Sequence, residues 1–404
     1  MPLISTLRSA LAQGLKRRPR LWQAVRAADL AVERARHSAG RLIPAVIRPA
    51  PRQLHIAVTA YCNQRCVGCR YGRDFMPGSQ LDWPVVKDLL DDAKYTGFWE
   101  IRLYGGEPLL HHDLPRMVEH TVSLDMRPYI TTNAVLLEHK IDELYGAGLR
   151  QLTIGFYGVG SAYDRYVQRR SFARVEAGIA AVRDRYGMDV NMRINWLLMR
   201  PSCNLGDLDA ACRFAERYQL RIQVDLIHYS LPYFSEGPEH ELQFRPEDRG
   251  KVEAVVFDLL RRQQAQPDLF FHSPEGLRSI PDWLIKGPQM RIPCHARHMV
   301  WVGADGSVQL CYVTFPLGSL SHQRLRDMLY TPTHRQAARD AFTLQCPNCH
   351  CGYDTRIDRD AASARYYSQL LASEAAASVG AHCSPCALSA KPSGPDLPSQ
   401  RVHA

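Results

Sequence analysis

Between residues 53 and 227 six short apolar strands alternate with five amphipathic helices. Leu54-His55-Ile56-Ala57-Val58-Thr59 alternates apolar with polar or small residues and reads as the first strand. Further strands read at Trp99–Tyr104, Tyr129–Asn133, Leu149–Tyr157, Val190–Leu198 and Leu220–Ile227. Helices read between them at Trp83–Lys94, with Asp82 as its cap ahead of Pro84, and at Asp113–Leu124, Leu137–Tyr145, 169–185 and Leu205–Tyr218. Strands that alternate with helices call for a parallel sheet in an α/β fold, closed or partly closed into a barrel. Such a sheet offers its ligand sites at the C-terminal ends of the strands.

The loop leaving the first strand carries Cys62, Cys66 and Cys69 at the spacing C-x3-C-x2-C. A structural zinc takes four ligands, and no fourth Cys or His falls between Cys69 and His111. Three thiolates instead suit a cubane with one iron left open, which can chelate a small molecule through an amine and a carboxylate. The second strand ends in Gly105-Gly106-Glu107-Pro108. Two glycines let backbone approach a ligand closely, and Glu107 can accept hydrogen bonds from an ammonium group. The third strand ends in Thr131-Thr132-Asn133.

The cysteine spacing, the GGEP ending and the polar third-strand ending, in that order and each after a strand, resemble the radical S-adenosylmethionine (SAM) superfamily. The resemblance implies a (β/α)6 partial TIM-like barrel over residues 53–286 and a [4Fe-4S] cluster on Cys62, Cys66 and Cys69. It implies SAM contacts from Gly105, Gly106, Glu107, Thr132 and Asn133. It also implies reductive cleavage of SAM to a 5′-deoxyadenosyl radical that takes hydrogen from a substrate, fed by an electron donor such as flavodoxin or ferredoxin. Strand five sets Asn191, Arg193 and Asn195 against Met192, Ile194 and Trp196, which suits a strand with one face on a polar cavity. Arg193 is expected to clamp the SAM carboxylate through its fork. Two departures stand out: Gly68 sits where the family often has an aromatic, and Gly155 and Tyr157 where strand four often has Ser and Asp.

A second cysteine set follows. Cys294 precedes Met299-Val300-Trp301-Val302, a turn at 303–306 and Val308-Gln309-Leu310-Cys311, which reads as a hairpin. A helix at Leu325–Phe342 leads to Cys346-Pro347-Asn348-Cys349-His350-Cys351. This resembles the opening of the SPASM and twitch auxiliary-cluster domains, and the single-cluster twitch form fits better over 287–355. The expected ligands of a second [4Fe-4S] cluster are Cys294, Cys311, Cys346 and Cys349, with Cys351 spare or replacing one of the last two. Four thiolates at these spacings also suit a structural zinc. Residues 356–404 read as a helix at Ala361–Ala377 and an Ala-, Ser- and Pro-rich disordered tail holding Cys383 and Cys386.

Charge is concentrated at the start. Residues 1–52 carry eleven Lys or Arg against Asp29 and Glu33 alone, and the rest of the chain is neutral. Residues 3–37 read as a basic amphipathic helical arm broken at Pro19, expected either to pack on the enzyme or to touch an anionic membrane surface through residues 1–45. No apolar run spans a membrane, no secretory signal is read, and nucleic-acid binding is not expected. Twelve cysteines in short clusters point to metal ligation in a reducing cytoplasm. Cys203, after strand five, is either an ordinary loop cysteine or a candidate hydrogen donor of an epimerase; Tyr157, His228, Tyr229 and Tyr233 are candidate substrate contacts. A 52-residue basic arm is too short and too helical for a peptide-recognition domain. The expected reaction is therefore oxidation or epimerisation of a small polyol, sugar or lipid-linked substrate, with a peptide maturase and a zinc-stabilised non-enzymatic binding protein as alternatives.

Overall fold

A computed structural model describes residues 19–71, 75–228, 241–311 and 314–382. Among the described residues nine strands form one sheet: β1 (Gln53–Thr59), β2 (Glu100–Gly105), β3 (Arg127–Thr132), β4 (Gln151–Phe156), β5 (Asn191–Leu198), β6 (Arg221–Leu226), β7 (Met299–Val302), β8 (Ser307–Gln309) and β9 (Pro316–Ser319). Their order is β6-β5-β4-β3-β2-β1-β7-β8-β9. The first six are parallel and follow the chain, as the strand–helix repeat requires. β1 and β6 do not pair, so the barrel is partial. Outward side chains such as Leu103, Ile194, Trp196 and Leu226 are fully buried under the helical layer.

The C-terminal hairpin is built into the same sheet. β7 pairs parallel to β1, with His55 opposite Trp301, and β7, β8 and β9 are antiparallel. β9 was not expected from the sequence.

Helix boundaries differ from the periodicity where local chemistry intervenes. The helix expected at 169–185 is found at Phe172–Tyr186, and an unexpected helix, Ser161–Val167, precedes it, with Gln168 left-handed between them. The helix expected at 325–342 breaks because Thr331 accepts the His334 N–H (3.2 Å) ahead of Pro332, starting a new helix at Pro332–Phe342. The stretch read as irregular contains the helix Pro274–Lys286, capped by Ser273 Oγ on the Gly276 N–H (3.0 Å) and tolerating Pro281 inside it. Asp82 precedes the helix Trp83–Thr96 but makes no side-chain cap bond; Pro84 starts that helix and left-handed Gly97 ends it.

The basic arm forms the helix Pro19–Leu42; residues 1–18 lie outside the described residues. Its last turns dock onto the C-terminal segment. Glu33 is buried and takes two 2.8 Å bonds from Arg297, while Arg41 reaches Asp360 at 2.7 Å. Among the described residues no helix is long and apolar enough to cross a membrane.

Candidate active site at the strand ends

Gly105 and Gly106 are where β2 closes on the loop after β1. A Cβ on Gly105 would strike the Thr59 carbonyl, and one on Gly106 the carbonyls of Tyr61 and Ala60. Only glycine permits this contact, which the Gly106 N–H completes by donating to Thr59 O (2.8 Å). The Glu107 N–H donates to Tyr61 O at the same distance. The loop so pinned bears the three cysteines.

Glu107 bridges two strand ends. Its carboxylate is fully buried and accepts Thr132 Oγ1 (2.6 Å), the Asn133 N–H (2.7 Å) and the Leu109 N–H (3.0 Å). These donors take three of the carboxylate's roughly four acceptor sites and tie β2 to β3. Burial pushes its carboxyl up to about 7, against the pull of those three donors.

Asn133 carries the tie to the cysteines. Its Nδ2 donates to Asn63 Oδ1 (2.7 Å) and lies 3.9 Å from Cys62 Sγ. From the other side the loop is fastened to the helix after β4. The Arg65 N–H donates to Val167 O (3.1 Å), the Val67 N–H to Tyr166 O (2.9 Å), and Gln64 Nε2 to Tyr163 Oη (3.1 Å) and Ser171 Oγ (3.3 Å). Sequence reasoning missed Gln64 and Tyr163; a glutamine inside the cysteine motif was the available signal. Gly68 is explained as well. A Cβ there would sit 2.9 Å from a Leu242 methyl and 3.0 Å from Tyr166 Oη, so Tyr166 fills the space that an aromatic at 68 would need.

Cys62, Cys66 and Cys69 line a cavity of about 150 Å³ together with Tyr61, Arg65 and Gly106. Burial pushes the Cys62 thiol up to about 11. A metal must therefore displace its proton to bind. Three soft donors converging on one cavity, with glycine backbone opposite and, among the described residues, no fourth thiol lining it, fit a cubane with an open corner.

Arg193 is not brought to this group. It lies early in β5; its Nε donates to Thr153 Oγ1 (2.8 Å), and its guanidinium lies over Phe271 and Tyr129. Cys203 is sealed: it is fully buried, its thiol faces the Lys251 carbonyl (4.0 Å), and burial pushes it up to about 12. It does not face the barrel interior. Tyr157 does, packing on Tyr166 at 4.4 Å between ring centres, and His228 stacks on His350 at 4.9 Å. Tyr229, Tyr233, Cys383 and Cys386 lie outside the described residues.

The second set also gathers. Cys294 and Cys311 pack on one small apolar cluster with Ala296, Leu310 and Ala341. Burial raises the Cys294 thiol, and the neighbouring Cys349 and Cys346 raise it further. Cys349 is pulled down to about 6 by the Cys351 thiol donating to it. Arg356 braces this knuckle through the carbonyls of Cys349 and Ile292. Cys351 also lies 3.9 Å from His228 Nδ1, so it faces the end of β6.

A parallel partial barrel whose first strand hands off to a three-cysteine loop, facing a glycine pair on the second, defines a radical SAM core. The comparisons agree: residues 56–200 match the Radical SAM superfamily, so the chain carries a radical SAM domain. A probable GTP 3′,8-cyclase of Methanothermobacter thermautotrophicus is 33% identical over 151 residues, covering 36% of this chain and 48% of that protein. The GTP 3′,8-cyclase of Streptomyces coelicolor is 27% identical over 282 residues, covering 64% and 76%. The chain spans about half the length of the first of these curated relatives. Among solved structures, anSMEcpe with bound AdoMet superposes with TM-score 0.57 at 16% identity, covering 72% of this chain and 81% of that one. Streptococcus suis SuiB bound to the precursor peptide SuiA superposes at 0.56 and 16%, covering 75% and 70%. Both share the fold.

Proposed function

We propose that this chain is a radical SAM enzyme that removes hydrogen from a small polyol, sugar or lipid-linked substrate inside its barrel. The observation that carries it is the cysteine loop pinned against Gly105 and Gly106 at the C-terminal ends of β1 and β2. When bound there, the cluster and SAM supply a carbon-centred radical able to abstract hydrogen from an unactivated C–H bond. The chain's own residues hold and orient. Cys62, Cys66 and Cys69 would ligate the cluster; Gly106 allows close approach of the cosubstrate; Glu107, Thr132 and Asn133 fix the strand ends behind them.

Oxidation is favoured over epimerisation because Cys203, the thiol expected to return a hydrogen atom, is buried away from the barrel interior. The nucleotide named for the sequence relatives supports a small molecule over a peptide. Cys294, Cys311, Cys346 and Cys349 would hold a second cluster, with Cys351 at its edge. A flavodoxin or ferredoxin would approach the triad past the exposed Tyr61 and Arg65. The exposed Leu21, Val25, Leu42 and Ile43 beside Arg20 and Arg26 support a membrane-surface contact for the arm.

The test is to incubate the reduced enzyme with SAM and deuterated sugars, polyols or their lipid-linked forms, then look for deuterium in 5′-deoxyadenosine. Label from these compounds is expected; label only from a peptide would overturn the substrate class.

A further inference from the structure

We propose that the N-terminal rim of the barrel, continuous with the basic arm, docks on an anionic lipid surface and turns the cysteine loop away from it. The proposal rests on the functional reading above and narrows its substrate to one taken from solution.

Parallel strands all start at one end of a sheet, and the helices between them return there. Trp99 immediately precedes β2, and Tyr95 lies in the last turn of the helix Trp83–Thr96, so both fall on this rim. Tyr330 joins them, its Oη donating to Thr96 O (2.9 Å). The three side chains are 46%, 78% and 43% exposed. Arg127, the first residue of β3, stacks over the Trp99 ring at 5.0 Å. Apolar residues scattered singly over a surface are ordinary. Adjoining Trp and Tyr rings flanked by an arginine instead suit the headgroup level of a bilayer, where one edge of each ring is apolar and the other wet.

The rim runs on into the arm. The Trp99 N–H donates to Arg52 O (3.2 Å), and the Arg52 guanidinium reaches Asp29 at 3.7 Å. Beside Asp29 on the helix Pro19–Leu42 lie Leu21, Val25 and Val32, all exposed. At 100° per residue these three fall within about 40° of one another and form one stripe. A single surface therefore leads from the stripe past Arg52 to Trp99, Tyr95 and Tyr330.

Charge decides what covers it. On the rim Arg52, Lys94 and Arg127 are matched by Asp29, Asp125 and Glu100. The surplus belongs to exposed Arg20, Arg26 and Arg48, on the arm and on the segment that leads to β1. Apolar side chains among unmatched arginines favour anionic headgroups over neutral ones. A second copy of this chain, docked by two-fold symmetry, would set the same surplus positive charge against itself.

The orientation bears on the substrate. β1 has seven residues, so at about 3.3 Å per residue the cysteine loop stands about 20 Å from the rim. With lipid at the rim, the strand ends open to solution. A free polyol or sugar enters there directly, whereas a headgroup anchored in that bilayer does not reach.

The experiment uses the cluster-loaded full chain with phosphatidylcholine vesicles, with and without phosphatidylglycerol. The unaltered chain should sediment with the anionic vesicles and much less with the neutral ones. The triple variant Tyr95→Ser, Trp99→Ser, Tyr330→Ser, its arm intact, should bind the anionic vesicles about tenfold more weakly. Tyr95→Ser with Tyr330→Ser alone should weaken binding several-fold, and serves if the triple variant misfolds. Unchanged affinity in both variants overturns the rim and leaves the arm's own contact standing. Equal binding to neutral vesicles overturns the anionic occupant. Loss of self-association without lipid, read by light scattering, assigns the surface to a second copy and overturns the proposal. So does hydrogen abstraction from a vesicle-embedded lipid-linked sugar but not from free sugars and polyols. Release of 5′-deoxyadenosine is scored independently: release without docking overturns the rim alone, and docking without release overturns the radical reading and leaves the rim standing.

Discussion

At the residue scale, Glu107 shows how a motif can be legible while the job of its side chain is not. The sequence places it beside two glycines at a strand end, which is correct, and suggests an ammonium ligand. The structure spends all three of its hydrogen bonds on Thr132, Asn133 and Leu109. Nothing in sequence order reveals that Thr132 and Asn133 end the neighbouring strand at matching height. Because burial raises its carboxyl to about 7 from 4.5, the folded state holds more protons than the unfolded between those values. Its contribution to stability therefore falls as pH rises through that window, by up to about 3 kcal/mol. Urea unfolding at pH 5 and pH 8 checks this: Glu107→Gln should lose that part of the pH dependence. Thr132→Val, which removes one donor to the buried carboxylate, should cost about 1–3 kcal/mol at neutral pH by the same assay.

At the element scale, the six-fold strand–helix repeat was readable because period-2 and period-3.6 patterns alternate with little interruption. The helix Pro274–Lys286 was not, because Pro274 and Pro281 read as breakers although Ser273 caps it and Pro274 opens it. The cysteine loop was readable as a ligand set, but its fastening to the helix Ser161–Val167 was not, since those backbone bonds link residues about a hundred positions apart. That fastening predicts a kinetic effect. Gln64→Ala frees the loop from Tyr163 and Ser171 and should make cluster loss to a chelator several-fold faster, followed by visible absorbance. An unchanged bleaching rate would mean the backbone bonds from Arg65 and Val67 suffice.

At the scale of the whole molecule, the core and the C-terminal segment share one nine-stranded sheet, and the N-terminal helix is locked across them by Glu33 and Arg297. Cysteine spacing separates the two sites in sequence but cannot reveal that β7 joins β1. Three of the buried histidines in this C-terminal packing are His37 against Phe342, His298 beside Glu33, and His334. Burial lowers each to about 4. The unfolded chain binds more protons between pH 6.5 and 4, so the stability these groups give is present above 6.5 and lost on acidification. The thermal midpoint should drop between pH 7 and 5, and His37→Leu should reduce that drop. On the surface, replacing Leu21, Val25 and Leu42 by Ser should abolish sedimentation with anionic vesicles; undiminished sedimentation would place the arm's role elsewhere.

The central claim is that three thiols leave one iron open for SAM. Cys66→Ala, reconstituted beside the unaltered chain and reduced with excess SAM, tests it most directly through iron content and 5′-deoxyadenosine release. The account predicts loss of about four irons per chain and of all SAM cleavage, with the second site's absorbance retained. Full iron content and undiminished cleavage in that variant would contradict it.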